Sequence, residues 1–519
     1  MRLLPLALAA AMLAAPAWAK TFRMATTSDA ATLDPHANNA FSTYLVTGQI
    51  YEGLTRRDPA LKVAPDLAVS WQQVEPTRWR FQLRQGVRFH NGNAFDADDV
   101  VFSIGRALAP TSNFGIYVDT VERAEKVDAY TVDLVTRVPD AVIPDKLTRV
   151  LMMDKEWAEA NGAARPQNLA QREESFAARN ANGTGPFMLR TRENDVRTVL
   201  ARNPAWWGGA AGPNDVTEYH HVVIASDATR IAALLSGEVD MVHTVPSQDV
   251  ARIQREARLQ VLIGQENRTV WLGMDQFSPE LSSSSVKGRN PFKDARVREA
   301  ISLAIDVEAI RTRTLRGQAV PTASMWTQYV TGYDEAFSRH PVPNLERAKA
   351  LLTEAGYPSG FDVQLDCPVG AYDEACQAVA PMLARIGVAV KLNVQPNSVW
   401  LQRLRRNESN FFGLSWGVPT FDAQYTLRGI MMTREKVGAA SWNAGGYSNA
   451  QVDALIEQVA AETDAAKRVG LIHQAQRIHN GEFGHIPLYH IMIPWATRQG
   501  ITLQHRADNL VFARDVTVQ

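Results

Sequence analysis

The chain has 519 residues, 45% of them hydrophobic and 21% charged, the make-up of a folded protein with room for two or three domains and sizeable cores. Its 54 Lys and Arg are matched by 55 Asp and Glu, for a formal net charge of −1, so overall charge draws it neither to nucleic acid nor to an anionic membrane. The 12 Trp offer large rigid surfaces suited to binding.

Arg2 precedes an apolar run over residues 3–13, and Ala17-Trp18-Ala19 forms an A-x-A cleavage pattern before Lys20. The run is shorter than the about 20 residues that cross a bilayer. Residues 1–19 are therefore expected to be a cleaved signal peptide rather than an anchoring helix. No Cys directly follows the run, which argues against lipid attachment. A soluble periplasmic protein is the expectation.

Residues 21–27 read as a first strand, the loop SDAATLDPHANNAFS follows, and a helix is expected over 43–54. In RWRFQLR, Trp79, Phe81 and Leu83 fall on one face and Arg78, Arg80, Gln82 and Arg84 on the other. That is the period of a half-exposed strand. Asp96 is placed to cap a helix over 97–107, with Asp98 and Asp99 in its first turn where carboxylates suit the helix dipole. DAYTVDLVTR is a further alternating strand, and residues 282–285, all Ser, read as a surface loop. From Asp294 a helix carries Val297, Ala300, Ile301, Ala304 and Ile305 as one apolar stripe. Asn344 caps LERAKALLTEA, with Gly356 as the residue just past its end. FDVQLDC, DEACQAVAPMLARI and VAVKLNVQ form a strand–helix–strand unit. SNAQVDALIEQVAAE and TDAAKRVGLIHQAQRIHN are two more helices, and HIPLYHIMIPWATRQ is a buried strand returning to a core. The fold class is mixed α/β, in lobes.

The two cysteines, Cys367 and Cys376, are expected to pair in an oxidising compartment. Closing so small a loop contributes roughly 2–3 kcal/mol on the chain-entropy account; two buried free thiols are the alternative. Gly413-Leu414-Ser415-Trp416-Gly417 matches G-x-S-x-G, which would make Ser415 the nucleophile of a secreted serine hydrolase, with Asp422 and a later histidine such as His473 as partners. The elbow needs a helix directly after the serine, but Val418 precedes Pro419 and is biased to extended backbone. The 11 histidines show no H-E-x-x-H or i, i+4 pair, and His479, His485 and His490 are not at ligand spacing. No glycine-rich phosphate loop is present. No catalytic residue, metal or cofactor is expected, and binding is favoured over catalysis.

LDPH, QIYEGLTRRD and PDLAVSWQQVEPTRWRFQLRQGVRFHNGNAFDADDVVFSIGRA form the most specific block of a wider pattern. It continues through GTGPF, NPAWWGG, LLSGEVDMV, NPFKDARVREAISLAID, NLERAKALLTEAGYP and GGYSNAQVDALI. In this order the segments resemble the bacterial solute-binding proteins of ABC importers for peptides, nickel and opines (family 5), over nearly all of the mature chain. The resemblance implies a large type II periplasmic-binding-protein clam-shell with an extra subdomain. Lobe one would comprise 20–59, 183–266 and the return over 485–519, with 60–182 inserted into it and 267–484 as lobe two. Chain crossings near 267–275 and 484–491 would act as the hinge. The implied partners are a small-molecule ligand and an inner-membrane ABC permease with its ATPase subunits, and the chain itself is expected to be a monomer.

The ligand implied is a small organic solute, peptide-like, opine-like or otherwise amine-bearing, with a metal complex such as a nickel chelate as the alternative. In the family's peptide binders the loop after the tryptophan carries, three residues on, an Asp for the peptide's ammonium. Here Trp416 matches that tryptophan, but Pro419 stands at the acidic position and Asp422 is the nearby carboxylate. Trp416 is expected as a pocket wall, Gly417 and Val418 as backbone contacts, and Asp422 as a charge partner unless it only caps the next helix. Phe41 is expected to face them from lobe one, with Trp442 and Tyr489 as further aromatic candidates.

Overall fold

Strand β1 (Thr21–Thr26) opens the described structure. The computed structural model describes residues 20–209, 215–370, 372–437 and 441–519, so the expected signal peptide lies outside the described residues. The helix after β1 spans Phe41–Ile50, ending four residues before the expected limit. Its continuation is extended because the backbone there is taken elsewhere: Met152 N–H donates to Glu52 O, Leu67 N–H to Gly53 O and Ala68 N–H to Leu54 O. The LDPH segment is anchored by charge. Arg106 of the helix Ala97–Leu108 donates to both oxygens of Asp34 at 3.1 and 2.8 Å and meets His36 Nδ1 at 2.9 Å, all buried.

Strands β2 (Thr55–Arg57) and β3 (Val63–Pro65) form a hairpin. Strands β4 (Ala68–Glu75), β5 (Arg78–Leu83), β6 (Val121–Asp128) and β7 (Thr131–Thr136) make an antiparallel sheet in the order β4-β5-β7-β6. The alternation expected in β5 is present: Phe81 and Leu83 are buried, while Arg78 and Arg80 reach Asp133 of β7 at 2.9 and 2.8 Å. Asp96 and Asp99 form a reciprocal capping box at the start of Ala97–Leu108. That helix buries Val100 and Ile104 in one core with Phe81, Leu134 and Phe95.

Ten further strands join β1 in one mixed sheet among the described residues: β8 (Phe187–Glu193), β9 (Arg197–Arg202), β10 (Glu218–Val223), β11 (Met241–His243), β12 (Leu259–Met274), β13 (Ala319–Pro321), β14 (Phe361–Pro368), β15 (Val388–Gln395), β16 (Phe411–Gly417) and β17 (Ile486–Arg498). Their order is β15-β14-β16-β12-β17-β11-β1-β10-β9-β8, with β13 attached to β17. The two halves carry separate cores, one around Phe22, Met24, Tyr219 and Trp495, the other around Val270, Leu272, Phe411 and Leu365. Strands β12 and β17 run antiparallel through both halves, and their register breaks between Gln265 and Thr269. The result is the two-lobed α/β clam-shell.

In the second half the local expectations hold. Asp294, Asn344, Asn449 and Asp464 cap the helices Ala295–Ala304, Leu345–Glu354, Ala450–Ala461 and Ala465–Gly481, and Gly356 has φ +85°. Strands β14 and β15 pair in parallel around the helix Asp373–Ala384. Cys367 and Cys376 form the expected disulfide, with Cα atoms 6.7 Å apart. The serine run is a loop with Ser282 and Ser285 exposed, as expected, but it is tied down: Ser284 is buried, and Ser282 and Ser283 donate to Asn410 Oδ1. Among the described residues no helix is long and apolar enough to cross a membrane.

Candidate functional site

The break between β12 and β17 frees Glu266, Asn267 and Arg268 from β17, and these residues line a cavity of about 410 Å³ between the lobes. Asn267 fixes the floor: its Oδ1 accepts from Thr327 Oγ1 at 2.7 Å and its Nδ2 donates to Val418 O at 2.8 Å. One wall comes from the helix Phe41–Ile50, β2 and the turn at Arg149, and the opposite wall from the end of β16 and the residues after it. Across the mouth, Arg57 of β2 donates to Thr420 O and lies 5.0 Å over the Phe421 ring.

Of the residues expected at the site, Phe41, Trp416, Gly417, Val418 and Trp442 line this cavity. Trp416 stacks on Tyr425 with centroids 5.3 Å apart, leans on Trp442 at 5.8 Å, and donates from Nε1 to Thr426 Oγ1 at 3.2 Å. Phe41 is 38% exposed and stacks on His243 at 5.6 Å. Three details differ from expectation. The Val418 carbonyl is occupied, accepting from Asn267 and from Phe421 N–H at 2.9 Å. Asp422 is absent from the lining: both its oxygens accept from Arg468, at 2.6 and 2.7 Å, and it caps the helix Ala423–Thr426. A buried guanidinium has taken the charge that was to meet a ligand. Tyr489 lies in β17 against Pro321 of β13 and in the second core, because the alternation of β17 turns its ring there.

Ser415 also lines the cavity, but it sits inside β16 opposite Val270, and no histidine is among the lining residues. The two glycines of the G-x-S-x-G pattern have packing reasons instead. A Cβ at Gly413 would lie 2.9 Å from the sulfurs of both Cys367 and Cys376, and one at Gly417 would lie 3.2 Å from the Arg268 guanidinium. Gly413→Ala is expected to cost about 1–3 kcal/mol by overpacking against the disulfide, read as a lowered urea midpoint. A midpoint equal to the parent's would remove that explanation.

The charged lining was not anticipated from the sequence. Arg56, Arg57, Arg149, Arg268, Arg506 and Arg514 all border the cavity. Arg57 pairs with Asp145 at 2.7 Å, Arg506 with Asp508 at 2.6 Å and Arg268 with Glu266 at 3.3 Å. Arg56 and Arg514 have more distant partners, Asp66 and Asp515, each at 3.8 Å. Glu52 and Asp66 complete the floor on the lobe-one side. Glu52 accepts from Thr184 at 2.8 Å, Trp206 at 2.9 Å and Trp207 at 2.7 Å. Burial, reinforced by the neighbouring Glu52 charge, pushes the Asp66 carboxyl up to about 8. Burial raises Glu52 as well, so this acid pair does not carry two full negative charges at neutral pH. Of these charged residues, Glu52, Arg56 and Arg57, in QIYEGLTRRD, and Asp66, in PDLAVSW, fall within the family motifs.

The model of the bacterial extracellular solute-binding proteins, family 5 Middle, matches residues 62–436. The chain is 27% identical over 537 residues to Di/tripeptide-binding protein 2 of Pseudomonas aeruginosa strain UCBPP-PA14, covering 96% of this chain and 94% of that one. It is 25% identical to the Glutathione-binding protein GsiB of Pectobacterium atrosepticum, covering 90% of this chain and 88% of the relative. The structure of HbpA2 from Haemophilus parasuis superposes with a TM-score of 0.80 at 23% identity, over 96% of this chain and 100% of that one, which shows the shared fold. With nearly three quarters of its length matched by one family model and the same architecture throughout, the chain belongs to the family 5 bacterial extracellular solute-binding proteins.

Proposed function

We propose that this protein is a periplasmic receptor of an ABC importer, which takes a small organic solute, peptide-like or opine-like, between its lobes and presents it to an inner-membrane permease. The observation that carries the reading is the cavity of about 410 Å³, within the range of small-molecule sites, at the point where β12 and β17 cross between lobes. In this reading lobe one comprises 20–59, 183–266 and 485–519, with 60–182 as its subdomain and 267–484 as lobe two. Residues 267–275 and 484–491 bend as the hinge. A solute touching both walls supplies the differential free energy that favours closure. The Arg57 contact to Thr420 O is of the kind that closure forms. ATP is hydrolysed by the importer's ATPase subunits, and the receptor acts as a monomer.

Relatives named for di- and tripeptides and for glutathione support solutes of that size and polarity. Asp422 does not serve as the amine partner, since Arg468 holds it. A metal chelate is the second reading. Among the described residues no group of three or more His, Cys, Asp or Glu side chains is disposed to hold a metal, so a metal would arrive with its own ligands and be held through them by the arginines.

Native mass spectrometry of protein drawn from the periplasm identifies the carried solute. Trp416→Ala is then expected to weaken its binding by about 2 kcal/mol, roughly thirtyfold, by calorimetry. Equal affinity would take Trp416 out of the binding surface, and an empty protein that no solute stabilises against heat would count against the receptor reading.

A further inference from the structure

Two turns that meet across the cavity mouth share one construction. Val418-Pro419-Thr420-Phe421 follows β16, and Phe421 N–H donates to Val418 O at 2.9 Å. Asp58-Pro59-Ala60-Leu61 lies between β2 and β3, and Leu61 N–H donates to Asp58 O at 2.9 Å. Proline at the second position pre-sets each turn. The fourth residue is left-handed in both, Phe421 at φ +52° and Leu61 at φ +63°. Glycine or asparagine ordinarily takes such a position. For a bulky side chain it is an outlier, held there by its surroundings.

The surroundings are the two side chains themselves. Leu61, Phe421 and Ala507 are each 4% exposed and form one apolar cluster, flanked by Tyr329. In the lobe assignment above, Phe421 belongs to lobe two, Leu61 to the subdomain of lobe one and Ala507 to its C-terminal return. Arg57 covers the Phe421 ring, with Cζ 5.0 Å from the centroid, and donates to Thr420 O and to Leu61 O, the latter at 3.2 Å. The socket is braced from behind. Arg506 donates to Asp58 O at 3.1 Å, and Ala507 O accepts from Asn267 N–H at 2.7 Å. Parting the lobes would expose the phenyl ring, Leu61 and Ala507 to water, so the hydrophobic effect opposes opening. The ion pair across the same cleft, Arg428 to Asp119 at 3.8 Å, has side chains 43% and 33% exposed and adds little beside it.

We propose that Phe421 is an apolar latch, which docks in the Leu61–Ala507 socket and makes the closed state favourable within the chain itself, with the solute adding to it. The proposal rests on the receptor reading above and adds a device that regulates its closure. Pro419, which stands at the acidic position of the family's peptide binders, here shapes the turn that carries the latch. A solute that binds the closed form has less of the equilibrium left to shift, and it enters only during openings.

Small-angle X-ray scattering of the full mature protein reads the lobe separation, as drawn from the periplasm and after stripping by unfolding in guanidinium and refolding. Asparagine accepts left-handed backbone, so Phe421→Asn and Leu61→Asn each remove one partner and leave the turns. The expected result is a stripped parent that is mostly closed, and stripped variants whose closed-to-open ratio is about tenfold or more lower. Phe421→Leu keeps an apolar knob and should lie nearer the parent. The double asparagine variant should open no further than either single one, since each already breaks the same contact. Melting temperatures control for folding, and an equal opening from substitutions on opposite lobes is not the mark of a local folding defect in either. The proposal is overturned if the stripped parent is as open as Phe421→Asn, or if both asparagine variants stay as closed as the parent. In the first case a closed parent as drawn from the periplasm leaves the receptor reading standing. If the lobe separation is the same in the drawn parent, the stripped parent and both variants, the lobes do not move, and the closure in the receptor reading falls together with the latch.

Discussion

An Arg468→Met variant is expected to lose about 3–5 kcal/mol of folding stability. The Arg468 and Asp422 side chains are 7% and 5% exposed and share two hydrogen bonds, at 2.6 and 2.7 Å. Arg468 also donates to Gln424 Oε1 at 2.9 Å and Val459 O at 3.1 Å, tying the helix Ala423–Thr426 to the helices Ala450–Ala461 and Ala465–Gly481. Methionine fills much of the same volume, so the loss comes from electrostatics rather than from a void. It leaves Asp422 sealed with only the Gln424 N–H as donor, at 2.9 Å. The double variant Asp422→Leu with Arg468→Met removes both charges and should be markedly less destabilised than Arg468→Met alone. Urea unfolding of the four proteins measures the cycle. A single-variant loss below about 1 kcal/mol would contradict a buried, mutually dependent pair. The same experiment bears on function. If Asp422 were the partner of a ligand's ammonium, Asp422→Asn would abolish binding with little change in stability. The geometry makes the opposite the expected result.

Acidification is expected to unfold the protein between about pH 4 and 5.5, steeply for a chain whose total stability is of order 5–15 kcal/mol. His36, His221, His243, His479, His485 and His490 are each at most 5% exposed. Burial lowers all six below the ordinary 6.5, with the Arg106 charge adding to it at His36 and the His479 charge at His485. His36 and His490 fall to about 3, and His221, His243 and His479 to about 4. The sign follows from proton counting. Below 6.5 the unfolded chain binds a proton at each of these residues and the fold does not, so stability is full above 6.5 and falls as pH drops toward the folded values.

Each group contributes about 1.4 kcal/mol per pH unit in that window. Asp66, Asp99 and Asp145 oppose the effect. Burial raises them to about 8, 7 and 6, so near pH 5 they hold protons that the unfolded chain releases. A net uptake on unfolding of about two to three protons remains, giving roughly 3–4 kcal/mol lost per pH unit around pH 5. Urea midpoints followed by circular dichroism at half-unit steps from pH 7.5 to 4.5 would measure it. A midpoint that stays level or rises from pH 6.5 to 5 would show that the histidines titrate in the fold.

Features whose physics is complete within a few residues were legible in the chain. The caps at Asp96, Asp294 and Asn344, the alternation of β5 and the parallel unit around Asp373–Ala384 depend on contacts reaching three or four positions, or on a segment's own period. The ordered motifs carried the family, and with it the clam-shell and the place of Trp416 and Phe41. The helix after β1 stopped short because backbone N–H groups from distant segments claimed the carbonyls of residues 52–54. Asp422 left the site because Arg468, 46 positions later, folds onto it, and Val418 lost its free carbonyl to Asn267, 151 positions earlier. Arg149 reads as one more arginine until the Tyr44 ring is seen 3.8 Å from its Cζ. Pattern and propensity are local and survive in one dimension. Whether a charge is compensated or a carbonyl already occupied depends on distances between residues far apart in the chain, and only the folded arrangement decides it.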